Sequence, residues 1–333
     1  MPAVYRSEAG LQDIREDVLR RAAELGGPFR RSDLARWGVD GAVLQPMMRR
    51  RWWVRLHHGV YVDARAWDDQ NDPTVRHRVL CAASIRALAG EAYAFGSSAA
   101  VLHDLPIERR ILSEVQLVRP LDLDGRAFRR RVTSSTSLPP ARIRTHHLRL
   151  GDTEIVSGIP TVTRPLAAVS TAAMSSTRWA VATLDAVAWQ SPALLPVLAN
   201  LTEDWGHLRG IGVVRAALPY VRAGAQTPLE TFSRLVLVDC GLPEPRLQVP
   251  LHDADGLIGV VDMLWDNLFV VGEADGLIKY ESRDVLIREK HREDRIRALG
   301  FAVVRWTWRE LFEAPDAIAR RITTSGRPLR RAI

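Results

Sequence analysis

The stretch Gly259 to Asp275, GVVDMLWDNLFVVGEAD, constrains the fold more than any other part of the chain. Two apolar runs of strand length flank Asp266-Asn267, a good pair for a tight turn, so the segment predicts an antiparallel hairpin. Three acids interrupt the apolar runs: Asp262, Glu273 and Asp275. If Trp265 pairs with Leu268, Asp262 faces Val271, and Glu273 lies one diagonal step away on the same face, about 7–8 Å off. Asp275, two residues beyond Glu273, points the same way. A slip of one residue would carry Asp262 to the opposite face.

Acids on an apolar sheet are costly unless a cation compensates them. Hard carboxylate donors suit Mg²⁺ or Mn²⁺, and such an ion can polarise a phosphodiester and activate water. The candidate catalytic set is therefore Glu230, Asp262, Glu273, Asp275 and Lys279, with Asp262, Glu273 and Glu230 as metal ligands. The only two lysines, Lys279 and Lys290, follow the acids directly, and Lys279 could orient the water or neutralise the developing charge. Plainer readings stand beside these. The acids can be solvated residues of a hairpin edge with Asp275-Gly276 as a turn. Glu230 is also a capping-box residue at the third helical position. Lys290 falls on a solvated charged helix, and Gln248 can be an edge-strand polar residue or a water-orienting one.

A net charge of +7 favours a polyanionic partner, although arginine enrichment also follows from base composition of the genome. The cations cluster at Arg49–Arg51 with Arg55, at Arg126–Arg131, at Arg142–His147 and at Arg327–Arg331. Cys81 and Cys240 are too few for a disulfide framework and lack zinc-ligand spacing. With no apolar run of spanning length and no secretory h-region, a cytoplasmic location is expected.

Upstream, Leu11, Ile14, Val18, Ala22 and Leu25 have helical spacing. A short helix over Asp33 to Trp37 capped by Ser32, a third from about Asp40 to Arg50, and two strands around His57-His58-Gly59 complete a winged helix-turn-helix order. Arg49, Arg50, Arg51 and Arg55 then sit where helix and wing would meet phosphates; such a unit can also serve protein contact alone. After a polar linker (68–73), helices over Val75 to Ala89 and Ser97 to Leu102, strands at 115–118, Val132, 143–147 and 154–156, and helices from Leu166, Trp179 and Pro192 predict a mixed domain with no catalytic constellation. His103, Asp104, His146 and His147 read there as surface or structural residues. From Thr227 a capped helix, a β-meander, a helix at 282–299, a strand at 301–306 and a last helix at 315–322 follow.

The segment TPLETFSRLVLVDCGLPEPRLQVPLHDADGLIGVVDMLWDNLFVVGEADGLIKY, with REDRIRALGFAVVRWTW after it, resembles the Vsr-like branch of the PD-(D/E)XK nuclease superfamily, in particular actinobacterial members with an E-x-D-G motif. That resemblance implies a mixed four-stranded sheet flanked by helices, a divalent metal and DNA cleavage, with Glu230, Asp262 and Glu273 as metal-site acids. It puts Asp275 where the general motif carries lysine, with Lys279 as a spatial substitute. FRRSDLARWGVDGAVLQPMMRRRWWVRLHHGVYVDA, FGSSAAVLHDLPI and SGIPTVTRPLAAVSTAA resemble the winged helix and following domain of AbiEi-type antitoxins. This second resemblance implies promoter binding and a partner toxin.

The expected molecule is thus an α/β (α+β) multidomain protein: a winged helix-turn-helix (1–67), a middle α/β domain (74–223) and a restriction-endonuclease-like mixed sheet flanked by helices (225–325). The expected function is a DNA-binding, Mg²⁺- or Mn²⁺-dependent endonuclease or nickase in phage defence, toxin–antitoxin biology or repair. The alternative is a non-catalytic DNA-binding regulator or type IV antitoxin on a degenerate nuclease fold.

Overall fold

In a computed structural model, the structure describes residues 7–68, 71–88, 92–120, 141–146, 148–149, 151–275 and 283–326. Val132, His147, Gly276, Lys279 and the clusters Arg126–Arg131 and Arg327–Arg331 lie outside them. The chain divides into two compact units, one of residues 1–183 with 194–216 and one of 184–193 with 217–333. It is a multidomain α+β protein.

The first unit opens with α1 (Glu8–Ala23), β1 (Phe29–Arg30), α2 (Arg31–Arg36), α3 (Leu44–Arg49), β2 (Trp53–His57) and β3 (Val60–Asp63). Its small sheet runs β1-β3-β2, all antiparallel, which is the winged-helix topology. Ser7 caps α1 by accepting from Gly10 N at 3.1 Å. Leu11, Val18 and Ala22 face a core with Phe29, Leu34, Met47 and Trp53. The fourth inward position of α1 is Arg15, which is buried and bidentate to Asp63 at 2.6 and 2.8 Å. Ser32 does not cap α2. Asp33 does the capping, accepting the Arg30 N–H at 2.7 Å. The expected third helix is shorter, because Gly41–Val43 forms a 3₁₀ turn before α3.

The wing packs on α4 (Pro73–Ala87), where Leu56, Val60 and Val62 meet Ala83. β4 (Tyr93–Ala94), α5 (Gly96–Leu102), β5 (Val115–Pro120), β6 (Ala141–His146), β7 (Thr153–Val156) and β8 (Ile159–Val162) follow. They build a mixed sheet in the order β6-β5-β4-β8-β7, covered by α4 and α5, with α6 (Arg164–Ala172) packed on α5. Neither Ser97 nor Ser98 caps α5; Ser98 Oγ instead accepts Gln116 N at 2.8 Å and meets His77 Nε2 at 2.8 Å. α7 (Thr177–Gln190) is divided between the two units at residue 184, and α8 (Leu195–Asp204) and α9 (Ile211–Ala217) follow.

The second unit begins with α10 (Pro228–Asp239), started by Thr227, which accepts Glu230 N at 3.2 Å, and by proline at the first position. β9 (Arg246–Asp253), β10 (Gly256–Trp265) and β11 (Val270–Ala274) form an antiparallel meander. α11 (Arg283–Ala298) then crosses to β12 (Ala302–Trp306), which lies parallel to β11. The sheet order is β9-β10-β11-β12, a mixed four-stranded sheet flanked by helices. α12 (Trp308–Glu313) and α13 (Pro315–Ser325) close the unit.

The hairpin turn differs from the expectation. Asp266–Leu268 form a 3₁₀ turn and Phe269 takes φ +52°, so Trp265 pairs with Val270 instead of Leu268. The shift is two residues, and a two-residue shift preserves the face.

Candidate functional site

The β9–β10–β11 register brackets one row across the second sheet. Val261 pairs with Val249 and Met263 with Leu247, which sets Asp262 beside Gln248. Met263 pairs with Gly272, and one further step brings Asp262 opposite Glu273 instead of Val271. Glu273 pairs in turn with Arg305 of β12. Gln248, Asp262, Glu273 and Arg305 therefore cross the sheet side by side. Gln248 holds φ +50° within its strand, a left-handed conformation that costs a non-glycine residue about 1 kcal/mol or more.

Each acid has a distinct environment. Glu230, at the start of α10, is buried. Its Oε1 accepts from Thr227 Oγ1 at 2.9 Å, and its Oε2 from Gln226 N at 2.9 Å and Gln248 Nε2 at 3.1 Å. The capping and site readings of Glu230 are thus both realised in one side chain. Asp262 Oδ2 accepts Ala274 N at 2.9 Å. Burial first, then the neighbouring Glu230 and Glu273 carboxylates, push the Asp262 carboxyl up to about 6. Among the described residues Asp262 has no ion-pair partner; the Ala274 N–H and, at longer range, Arg292 offset only part of the cost of its charge.

Glu273 is the opposite case. Arg292 Nη1 donates to its Oε1 at 2.6 Å and Arg305 Nε to its Oε2 at 2.7 Å. Arg305 also meets Glu289 at 2.7 Å and Glu293, and Arg292 meets Glu289 at 3.0 Å. Sequence reasoning missed this guanidinium clamp. Its signal was the arginine-rich run REDRIRA together with Arg305 on the last strand. Asp275 N donates to Trp306 O at 2.8 Å, and its buried Oδ1 has no hydrogen-bond partner among the described residues. Lys290 is exposed on α11, as a solvated helix position should be.

Among the described residues no three His, Cys, Asp or Glu side chains are gathered as a metal-holding group. Mg²⁺ commonly needs only one or two protein carboxylates, with waters and substrate phosphates completing the shell. Asp262, without an ion-pair partner beside Glu230, and Asp275, with an oxygen unpartnered among the described residues, fit that smaller requirement. Glu273, neutralised by two arginines, fits a ligand role only after release from them. A concave face on α11 is lined by Ile258, Arg288, Glu289, His291, Arg292 and Arg295, three arginines against one acid.

On the winged helix, Arg49, Arg50, Arg51 and Arg55 are all exposed. Arg50 lies over the Trp52 ring, 6.0 Å from its centroid, and donates to Pro46 O at 3.4 Å. Arg51 takes φ +55° where α3 gives way to β2. A concavity next to α3 is lined by Arg31, Gln45, Met48, Arg55 and Tyr61. Elsewhere, Cys81 is buried and its thiol is pushed up to about 12. No described helix is long and apolar enough to cross a membrane.

No protein-family model matches the chain. Two uncharacterized proteins of Mycobacterium tuberculosis, from strains CDC 1551 / Oshkosh and ATCC 25618 / H37Rv, are each 29% identical to it over 143 residues. The match covers 43% of this chain and 53% of each relative, so the chain spans about half the length of the curated relatives it matches.

Proposed function

We propose that the protein binds duplex DNA through its winged helix and hydrolyses phosphodiesters, as an endonuclease or nickase, at the acids of its second unit. The observation that carries this reading is the row Gln248–Asp262–Glu273–Arg305, in which half-buried Asp262 lies beside Glu230 with no ion-pair partner among the described residues. The Vsr-like resemblance of the same segment supports it. Asp262 and Glu230 would hold a divalent cation, which supplies Lewis-acid polarisation of the phosphate and an activated water. Gln248 orients the Glu230 carboxylate through its 3.1 Å hydrogen bond. Arg288, exposed on α11, offers positive charge to the DNA backbone, whereas Arg295 is already held by Asp253 at 2.5 and 2.7 Å.

The test is incubation of supercoiled plasmid with purified protein and Mg²⁺ or Mn²⁺, beside Asp262→Ala and Glu230→Ala. Nicking by wild type that disappears in both variants supports the reading. No cleavage by a folded, DNA-binding wild type across varied DNA sequences sinks it.

One observation favours a second reading. Arginine already compensates both oxygens of Glu273, as would suit a nuclease-like fold retained for binding alone. The protein would then be a DNA-binding regulator or an antitoxin with a partner toxin. The same plasmid assay separates the two.

A further inference from the structure

The basic run at Arg142–His146 belongs to neither site above. It lies on β6, an edge strand of the five-stranded sheet among the described residues. Alternation along the strand puts Arg142, Arg144 and His146 on one face. That face meets the turn after α8. His146 packs on Trp205 with ring centroids 5.0 Å apart, and its Nδ1 stands 3.2 Å from His207 Nε2. Trp205 and His207 are stacked, 5.9 Å apart at 22°, while Phe95 closes the group from inside at 5.5 Å from Trp205. Trp205 and Phe95 are buried, and His207 is exposed at the outer end of the stack.

The charges around this shelf do not balance. Arg142 is matched by Glu114 at 2.8 Å and Arg149 by Asp204 at 2.6 Å. Arg144, half-buried, and Arg209, exposed, have no ion-pair partner among the described residues. Burial, then Arg142 and Arg209, hold Arg144 below the usual guanidinium range. Two imidazoles in contact are a common start to a metal site, but the surrounding field is positive. Burial, His207 and Arg144 together push His146 down to about 4. A cation is repelled there, and a phosphate is attracted.

We propose that this face of the first unit binds a nucleotide: Arg144 and Arg209 take its phosphates, and the exposed His207 ring, backed by Trp205, stacks on its base. An unpartnered guanidinium pair selects phosphate. An aromatic shelf open on one side is suited to a planar base and tolerant of which base it is. A free nucleotide and the terminal nucleotide of a strand share this chemistry.

Isothermal titration of the full chain with ATP, GTP, inorganic tripolyphosphate and a short 5′-phosphorylated oligonucleotide tests the assignment. Wild type should bind the nucleotides. Arg144→Gln with Arg209→Gln should weaken all of these ligands about tenfold or more, the loss expected for a charge-assisted hydrogen bond. His207→Ala should weaken the nucleotides about tenfold while leaving tripolyphosphate unchanged. Arg209→Gln alone, at an exposed position, gives the same direction if the Arg144 variant does not fold. A variant with Arg49, Arg50 and Arg51 all changed to Gln should keep nucleotide binding, which separates this site from the winged helix. Tighter binding of the oligonucleotide than of ATP assigns the natural ligand to a strand end, and the reverse assigns it to a free nucleotide. Absence of nucleotide binding by wild type overturns the proposal. So does affinity that survives the arginine changes, or an unchanged nucleotide affinity in His207→Ala.

Discussion

Asp262 Oδ2 accepts the backbone N–H of Ala274 at 2.9 Å, which fastens the β10 acid between Glu273 and Asp275 in the chain. This one contact joins the three acids of the hairpin and holds Asp262 where burial and like charges oppose its ionisation.

A pH dependence follows. The folded Asp262 carboxyl lies near 6, above its ordinary 3.8. A raised acid binds its proton more tightly in the folded state, so stability is fullest below the unfolded value and falls as pH rises toward about 6. With metal chelated, wild type should lose about 2 kcal/mol relative to Asp262→Asn between pH 4 and pH 7, after allowance for partial exposure. Urea denaturation of both proteins across that range checks it. Parallel stability curves would show that Asp262 ionises freely.

The guanidinium clamp predicts strong coupling. Removing one arginine leaves the largely buried Glu273 half compensated, with side-chain exposures of 12% for Glu273, 23% for Arg292 and 28% for Arg305. Arg305→Gln should cost about 1–3 kcal/mol, and Arg292→Gln somewhat less, because Arg305 pairs with Glu273, Glu289 and Glu293 and Arg292 with Glu273 and Glu289. In the Glu273→Gln background each loss should shrink by about 1 kcal/mol or more. A double-mutant cycle by denaturation reads this directly, and additive losses would mean that the pairs contribute nothing beyond surface screening.

The winged helix predicts a salt signature. If Arg49, Arg50, Arg51 and Arg55 contact phosphates, log K for duplex DNA should fall with log salt by about 0.9 per phosphate neutralised. Changing any one of the four to Gln should reduce that slope by about 1. Fluorescence anisotropy at a series of salt concentrations is the measurement. A slope unaltered in all four variants would move the DNA footprint elsewhere.

How far the sequence reached depends on the range of the interaction. The winged helix and the mixed sheet were legible, because apolar spacing in α1 and the apolar runs around Asp266-Asn267 are local patterns. The turn length was not, since a 3₁₀ turn ending at left-handed Phe269 looks in sequence like a two-residue turn. The shared face of Asp262 and Glu273 survived that error only because the shift was even. Arg15 reads as a polar break in the α1 stripe, and its place in the core depends on Asp63, 48 residues away. The partners of Glu273 lie 19 and 32 residues further along, and His146 meets His207 across 61. Pairings at such separations leave no periodic trace.

Gly272, one residue before Glu273, tests how rigidly the site is backed. A Cβ there would stand 2.6 Å from Trp306 and 2.7 Å from Trp265. Neither indole can step aside: Trp306 Nε1 donates to Ser233 Oγ at 2.7 Å, and Trp265 Nε1 donates to Pro243 O at 2.8 Å. Both rings are fully buried, with centroids 6.5 Å apart across the glycine. Gly272→Ala should therefore overpack the sheet and destabilise the protein by about 1–3 kcal/mol. The cost should fall in a Trp306→Phe background, where the smaller ring opens the space that the methyl needs, so the two changes should be less than additive. Thermal and urea unfolding of the single and double variants measures both effects. A neutral Gly272→Ala would mean that the indoles shift freely, and that β11 is not held against them in the register that brings Glu273 to Asp262.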